Sequence, residues 1–146
     1  MLIQVELLVK IADFGISKRA EDATATYSTV KGTPGFMPPE SLDHSSDELS
    51  TAADIWALGE IAHMMLTSQP TFKNTRELFQ FADGQKEFPQ ESLRDHNAST
   101  TAIQFISASM NANPDERLNA AQASKHEWMA KFAPQSPRPA SISSSG

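Results

Sequence analysis

The segment 51–66 constrains the fold of this chain most. Ile55, Trp56, Leu58, Ile61, Ala62, Met65 and Leu66 cover more than one face of a single helical stretch. A helix apolar on more than one face belongs in the middle of a packed layer rather than on its surface. Thr51, with Asp54 three residues on, resembles a capping box at its start, and Pro70 closes it. His63 on this helix reads as a core histidine, and Met64 and Met65 as core filler. The remaining chain must supply elements that wrap such a helix.

Those elements follow from the pattern. A shorter helix is expected near 74–82, then a polar loop containing Gly84, Pro89 and Asn97. Ala102, Ile103, Phe105, Ile106 and Met110 mark an amphipathic helix ended by Pro114. Asn119 caps a last helix reaching Trp128. Residues 1–12 read as strand, with Gln4 and Glu6 at a turn. Residues 16–31 lose all periodicity and read as a loop. Prolines 34, 38 and 39, with Gly32 and Gly35, exclude regular structure through residue 39. The low-complexity stretch 132–146 reads as a disordered tail.

Composition narrows the function. A net charge of −6 disfavours nucleic acid and anionic membrane as partners. No apolar run approaches the ~20 residues of a spanning helix. Without cysteine there is no disulfide framework and no thiol chemistry. The expectation is an intracellular chain, in cytoplasm or nucleus, whose oligomeric state the sequence leaves open.

Four motifs then occur in order: Asp13-Phe14-Gly15 after an apolar run, GTPGFMPPE (32–40), DIWALG (54–59) and NPDERLNA (113–120). Taken alone, each has a plain reading. Asp-Phe-Gly suits a strand-ending turn, Asp54 suits a helix start, and Glu40 and Arg117 suit a solvated surface. Taken together, they resemble the C-terminal lobe of a eukaryotic-type Ser/Thr protein kinase. DFGISKR and GTPGFMPPE resemble the calmodulin-dependent or checkpoint-like group.

The resemblance implies a mainly α fold: a helical lobe with a small N-terminal β-hairpin, missing the N-lobe and the catalytic loop. A partial kinase domain would span 1–131, with an activation segment at 13–40. Asp13 would hold Mg²⁺, a hard ion suited to carboxylate oxygen, and Ala12 would line the ATP pocket. Phe14 and Gly15 would be structural. Thr24, Thr26, Tyr27, Ser28 and Thr29 would be the phosphorylatable hydroxyls, with Lys18, Arg19 and Lys31 as local partners for phosphate. Gly32, Thr33 and Phe36 would dock the protein substrate; Pro38 replaces the family's Ala.

Glu40 and Arg117 would form a buried ion pair, with Trp56 packed beneath the Pro-Glu segment. Asp54 would be a buried carboxylate left short of donors, because the catalytic loop it normally meets does not occur here. His126-Glu127-Trp128 would pack rather than react.

The same family needs a Gly-rich loop, a nucleotide Lys with its Glu partner, and a His-Arg-Asp loop. None occurs in these residues. ATP and Mg²⁺ are therefore cofactors of a complete parent kinase, and this chain alone is expected to be inactive. Met1-Leu2-Ile3 fits a strand that follows the family's metal-binding Asn, which suggests that Met1 is internal to a longer kinase. Helix 51–66 would then carry an apolar face normally covered by the helix before the catalytic loop. A non-catalytic lobe acting as a binding or decoy module is the alternative, its partner a protein substrate or the missing kinase half.

Overall fold

A computed structural model describes Lys10, Ala12, residues 34–42 and residues 51–130. The expected N-terminal hairpin and the tail fall outside the described residues, apart from Lys10 and Ala12, which lie in neither helix nor strand. Among the described residues the fold is helical throughout.

The proline-rich stretch is more regular than its composition implies. A 3-10 turn runs Pro34–Phe36, and helix α1 runs Pro39–Leu42. Each opens on a proline, at a position where a helix has no use for the missing N–H and where φ is already suitable. Proline therefore starts structure here instead of forbidding it.

Helix α2 (Thr51–Thr67) is the central element, with Thr51 itself as its first residue. Helix α3 (Thr75–Ala82) starts where the Asn74 side chain accepts the Glu77 N–H at 3.0 Å. Gly84, at φ 69°, turns the chain out of α3 in a conformation that glycine adopts without cost. Helix α4 (Glu91–Asp95) stands inside what the sequence presents as a polar loop. Its five residues are too few to show a period, and it is fixed by one fully buried side chain, Leu93. Helix α5 (Thr100–Ser109) begins at Ser99, whose hydroxyl accepts the Ala102 N–H at 3.2 Å.

The last helix is divided in two. Asn119 and Gln122 form a reciprocal capping box at α6 (Ala120–Lys125). His126 then adopts an extended conformation, ψ 142°, and a separate turn of helix, α7 (Glu127–Ala130), follows. The break lets His126 and Trp128 both reach the Phe105 ring, at 5.3 and 5.0 Å between centroids.

The core is Ile55, Trp56 and Ala62 of α2 packed on Phe105, Ile106 and Met110, with Leu78, Leu93 and Ala123 closing the sides. Fully burying side chains of this size contributes about 1.5–3 kcal/mol each. The α2–α5 contact is close because Gly59 faces it. A β-carbon there would stand 2.6 Å from Met110 Cγ and 3.0 Å from Ser109 Cβ.

Helix α2 is not buried all round. Leu58, Ile61, Met64, Met65 and Leu66 are exposed, Met65 at 80%. Met64 and Met65 are thus not core filler; the 100° step between helical residues carries them to the side facing away from α5. His63, by contrast, is fully buried.

Candidate functional site

The site begins at the Pro-Pro-Glu segment. Pro38 and Pro39 are buried, and α1 presents the Glu40 carboxylate toward the loop after α5. There Arg117 is held in a tight turn, its own N–H and that of Glu116 bonded to Asn113 O. Asn113 Oδ1 accepts the Asp115 N–H at 3.1 Å. Such side-chain-to-backbone bonds make Asn a turn former, and they aim the arginine inward.

Arg117 meets Glu40 as a two-toothed fork: Nη1 donates to Oε1 at 2.8 Å and Nη2 to Oε2 at 3.0 Å. Nη1 also donates to Ala52 O at 2.9 Å, and Nε to Asn111 O at 2.9 Å. The guanidinium carbon lies 5.1 Å from the centroid of the Trp56 ring. The Arg117 side chain is wholly buried and that of Glu40 is 14% exposed. A planar guanidinium supplies both the fork and the stacking face; an ammonium supplies neither. One side chain thus ties α1, the start of α2, the central tryptophan and the loop after α5 together.

The contact continues beyond Trp56. Its ring lies nearly parallel to Phe72 at 6.2 Å, and Phe72 stacks on Phe81 at 5.3 Å. Phe88 meets Phe72 and Phe81 edge-on, at 6.3 and 5.9 Å. These aromatics adjoin an open cleft of about 440 Å³ whose walls include Pro70, Phe72, Phe81, Pro89, Lys86 and Asp95. The cluster was not evident in the sequence, since positions 72, 81 and 88 share no period. An unusual number of phenylalanines around a proline-bearing loop was the available signal.

A second polar group lies inside α2. Glu60, 1% exposed, accepts the Thr71 N–H with both carboxylate oxygens, at 3.2 and 3.4 Å. His63 Nδ1 donates to Gln69 O at 3.0 Å. Burial pushes the His63 pKa below its ordinary value of 6.5, opposed by its bond to Gln69 and by the Glu60 charge and assisted by His96. A carboxylate inside an apolar helical run, as in ALGEIAHMM, was the sequence signal for this group.

The structure distributes the other candidate residues unevenly. Phe36 is half-buried in the 3-10 turn, which packs on α2. Asp54 is exposed on the first turn of α2, so the expected buried, undersupplied carboxylate is not there. Water solvates it, and the positive end of the helix favours it. Ala12 is exposed. Asp13, Phe14, Gly15, Thr24, Thr26, Tyr27, Ser28, Thr29, Gly32 and Thr33 lie outside the described residues. Among the described residues no three His, Asp or Glu side chains converge as a metal site, and no helix is long and apolar enough to cross a membrane.

A glutamate–arginine fork between a Pro-Pro-Glu segment and an Asn-Pro-Asp-Glu-Arg turn, stacked on a buried tryptophan, is a specific arrangement. The family model describing the protein kinase domain matches residues 1–129. This chain belongs to the protein kinase family. A probable myosin light chain kinase of Dictyostelium discoideum is 36% identical over 129 residues, covering 86% of this chain and 32% of that protein. A second probable myosin light chain kinase of the same organism is 31% identical over 140 residues, covering 92% and 44% respectively. The chain therefore spans less than half the length of either relative.

Among solved structures, Rad53 residues 1–466 in complex with AMP-PNP is similar over 67% of this chain and 26% of that one, with a TM-score of 0.56 and 27% identity. Titin kinase with its flanking domains is similar in fold, with a TM-score of 0.54 over 68% of this chain and 18% of that one, at 24% identity. The fold is thus that of a kinase C-terminal lobe fragment.

Proposed function

We propose that these residues are the substrate-docking and anchoring part of an ATP-dependent serine/threonine protein kinase, and that the 146-residue chain alone does not transfer phosphate. The observation that carries this reading is the Arg117 fork on Glu40 over Trp56. It secures the end of the 13–40 activation segment to the lobe, so that Gly32, Thr33 and Phe36 present a platform for a protein substrate. Thr24, Thr26, Tyr27, Ser28 and Thr29 are the hydroxyls whose phosphorylation would order that segment.

The reading assigns one carboxylate to the metal, Asp13, and among the described residues no three His, Asp or Glu side chains converge as a second metal site. One carboxylate does not hold Mg·ATP, whose octahedral ion keeps its waters unless several oxygens replace them. No chemical step is therefore assigned to this chain.

The test is phosphate transfer by the purified chain from labelled ATP to a generic Ser/Thr substrate, with Asp13→Ala as the blank. No incorporation above the blank is expected, and clear incorporation overturns the inactive reading. A reading frame before Met1 that encodes His-Arg-Asp-x-Lys-Pro-x-Asn supports the kinase parent. A stop codon or promoter there favours a binding module, a reading to which the exposed apolar side of α2 also lends weight.

A further inference from the structure

The inner side of α2 carries three polar side chains that neither the docking platform nor the fork employs. Glu60, His63 and Thr67 are at most 3% exposed, and all three hold the same short piece of backbone. His63 Nδ1 donates to Gln69 O at 3.0 Å. The Thr67 hydroxyl accepts the Gln69 N–H at 3.1 Å and lies 2.9 Å from His63 O and 3.0 Å from Gln69 O. Glu60 accepts the Thr71 N–H, and the Thr71 hydroxyl donates to Met110 Sδ at 3.6 Å. Between these bonds Ser68 sits at φ 57°, a left-handed conformation that a serine keeps only when its surroundings impose it.

The bonds also fix the histidine's proton. Nδ1 lies 3.0 Å from Gln69 O and 3.2 Å from the Thr67 hydroxyl. The carbonyl only accepts, and the hydroxyl has the closer His63 O and Gln69 O to donate to, so Nδ1 bears the hydrogen and Nε2 is a bare lone pair. Nε2 is buried and has no partner among the described residues. A proton arriving there creates both a buried charge and a buried N–H without an acceptor.

We infer that His63, Thr67 and Glu60 form a proton-sensitive latch: protonation of His63 at Nε2 releases the 68–71 turn from α2 and frees one wall of the aromatic cleft. The wall is Gln69, Pro70, Thr71 and Phe72. Glu60, three residues before His63 on α2, favours the added charge, and His96 after α4 opposes it. The turn itself has no ionisable side chain, and α5, packed against α2, has none along its whole length. Helix α4, also packed on α2, carries Glu91 and Arg94, paired with each other at 2.8 Å, and Asp95. Burial therefore dominates, and the latch is closed at neutral pH and opens on acidification.

Amide hydrogen exchange on the full chain tests this. After correction for the intrinsic chemical rate, the Gln69 and Thr71 amides should lose protection between about pH 7.5 and pH 5, while Phe105 and Ile106 keep theirs. His63→Gln retains an N–H for Gln69 O and removes the titration, so its profile should be flat. Glu60→Gln should weaken protection at Thr71 at every pH yet leave the step at Gln69. Should His63→Gln fail to fold, imidazole ¹⁵N shifts of the unaltered chain decide. The loss of protection must begin near 6.5 and level off where the native imidazole titrates. A step that persists in His63→Gln, a flat profile in the unaltered chain, or a loss that continues below the native imidazole titration overturns the latch.

Discussion

Replacing Arg117 by alanine is the most informative perturbation of this molecule. The change removes both arms of the Glu40 fork and the donors to Ala52 O and Asn111 O. It also removes the cation stacked 5.1 Å over Trp56. Glu40, only 14% exposed, then loses the Arg117 guanidinium near the interior. Loss of one member of a buried pair costs about 3–5 kcal/mol, a large part of a small domain's stability. Because the fork joins α1 to the start of α2, its loss should appear first as local opening there. Exchange at Ile55 and Trp56 should accelerate by about two decades or more, at 1.4 kcal/mol per decade.

Arg117→Lys should recover less than half of the loss, since one ammonium cannot reproduce the fork and the stack together. Arg117→Met with Glu40→Gln removes both charges, and this pair should lose less than the sum of its single changes. If Arg117→Ala accelerates exchange by less than about fivefold, or if the two single changes simply add, the fork is not what anchors this segment.

Three further outcomes are expected. Gly59→Ala should destabilise despite its better helix propensity. Overpacking against Met110 and Ser109 costs about 1–3 kcal/mol, against roughly 1 kcal/mol gained; in a Met110→Ala background the same change should stabilise, as read by denaturant midpoint. Folding stability should fall on acidification through the His63 window. Its folded pKa lies below 6.5, so the unfolded chain binds the extra proton first, and the contribution is whole above 6.5 and shrinks until the folded value is passed. His63→Phe should flatten that part of a stability–pH curve. Finally, Ile61→Lys with Met65→Lys should reduce self-association in light scattering while shifting stability by no more than about 0.5 kcal/mol per site. Both residues are exposed, at 46% and 80%; a larger loss of stability means that this face packs against something in the folded chain.

What the sequence disclosed depended on length and on motif. Helices α2, α3 and α5 were legible because each is long enough to show a period or a cap, and Asn119 was legible as a cap. Helix α4 has five residues and one anchor, Leu93, too little for any period. The break at His126 serves two ring contacts on Phe105, which are tertiary and leave no mark on neighbouring residues. The Glu40–Arg117 pair was legible only through the family's motifs, because no local rule joins residues so far apart. Asp54 misled because a motif's usual burial was carried over to a position that here faces water.

The misreading of α2 follows from its inverted polarity. Its inner side holds Glu60, His63 and Thr67, each committed to the backbone of the following turn. Its outer side holds Leu58, Ile61, Met64 and Met65. Counting apolar residues around the helix therefore shows a cylinder without a polar face, which reads as deep burial. Only the kinase resemblance, lacking the helix before the catalytic loop, pointed to an uncovered apolar face. The polar residues, however, are inside because they fasten a turn, which a hydrocarbon side chain cannot do. Leaving the apolar residues outside costs nothing in polar desolvation, but it exposes a contiguous surface of the kind that protein contacts cover. The two sides thus differ in what they do: the inner one shapes the cleft beside the aromatic stack, and the outer one is exposed apolar surface. Substitutions at Ile61 and Met65 should leave Gln69 and Thr71 exchange untouched, whereas substitution at His63 should leave self-association untouched. Cross-effects between the two sets would show that α2 responds as one unit and that this separation is wrong.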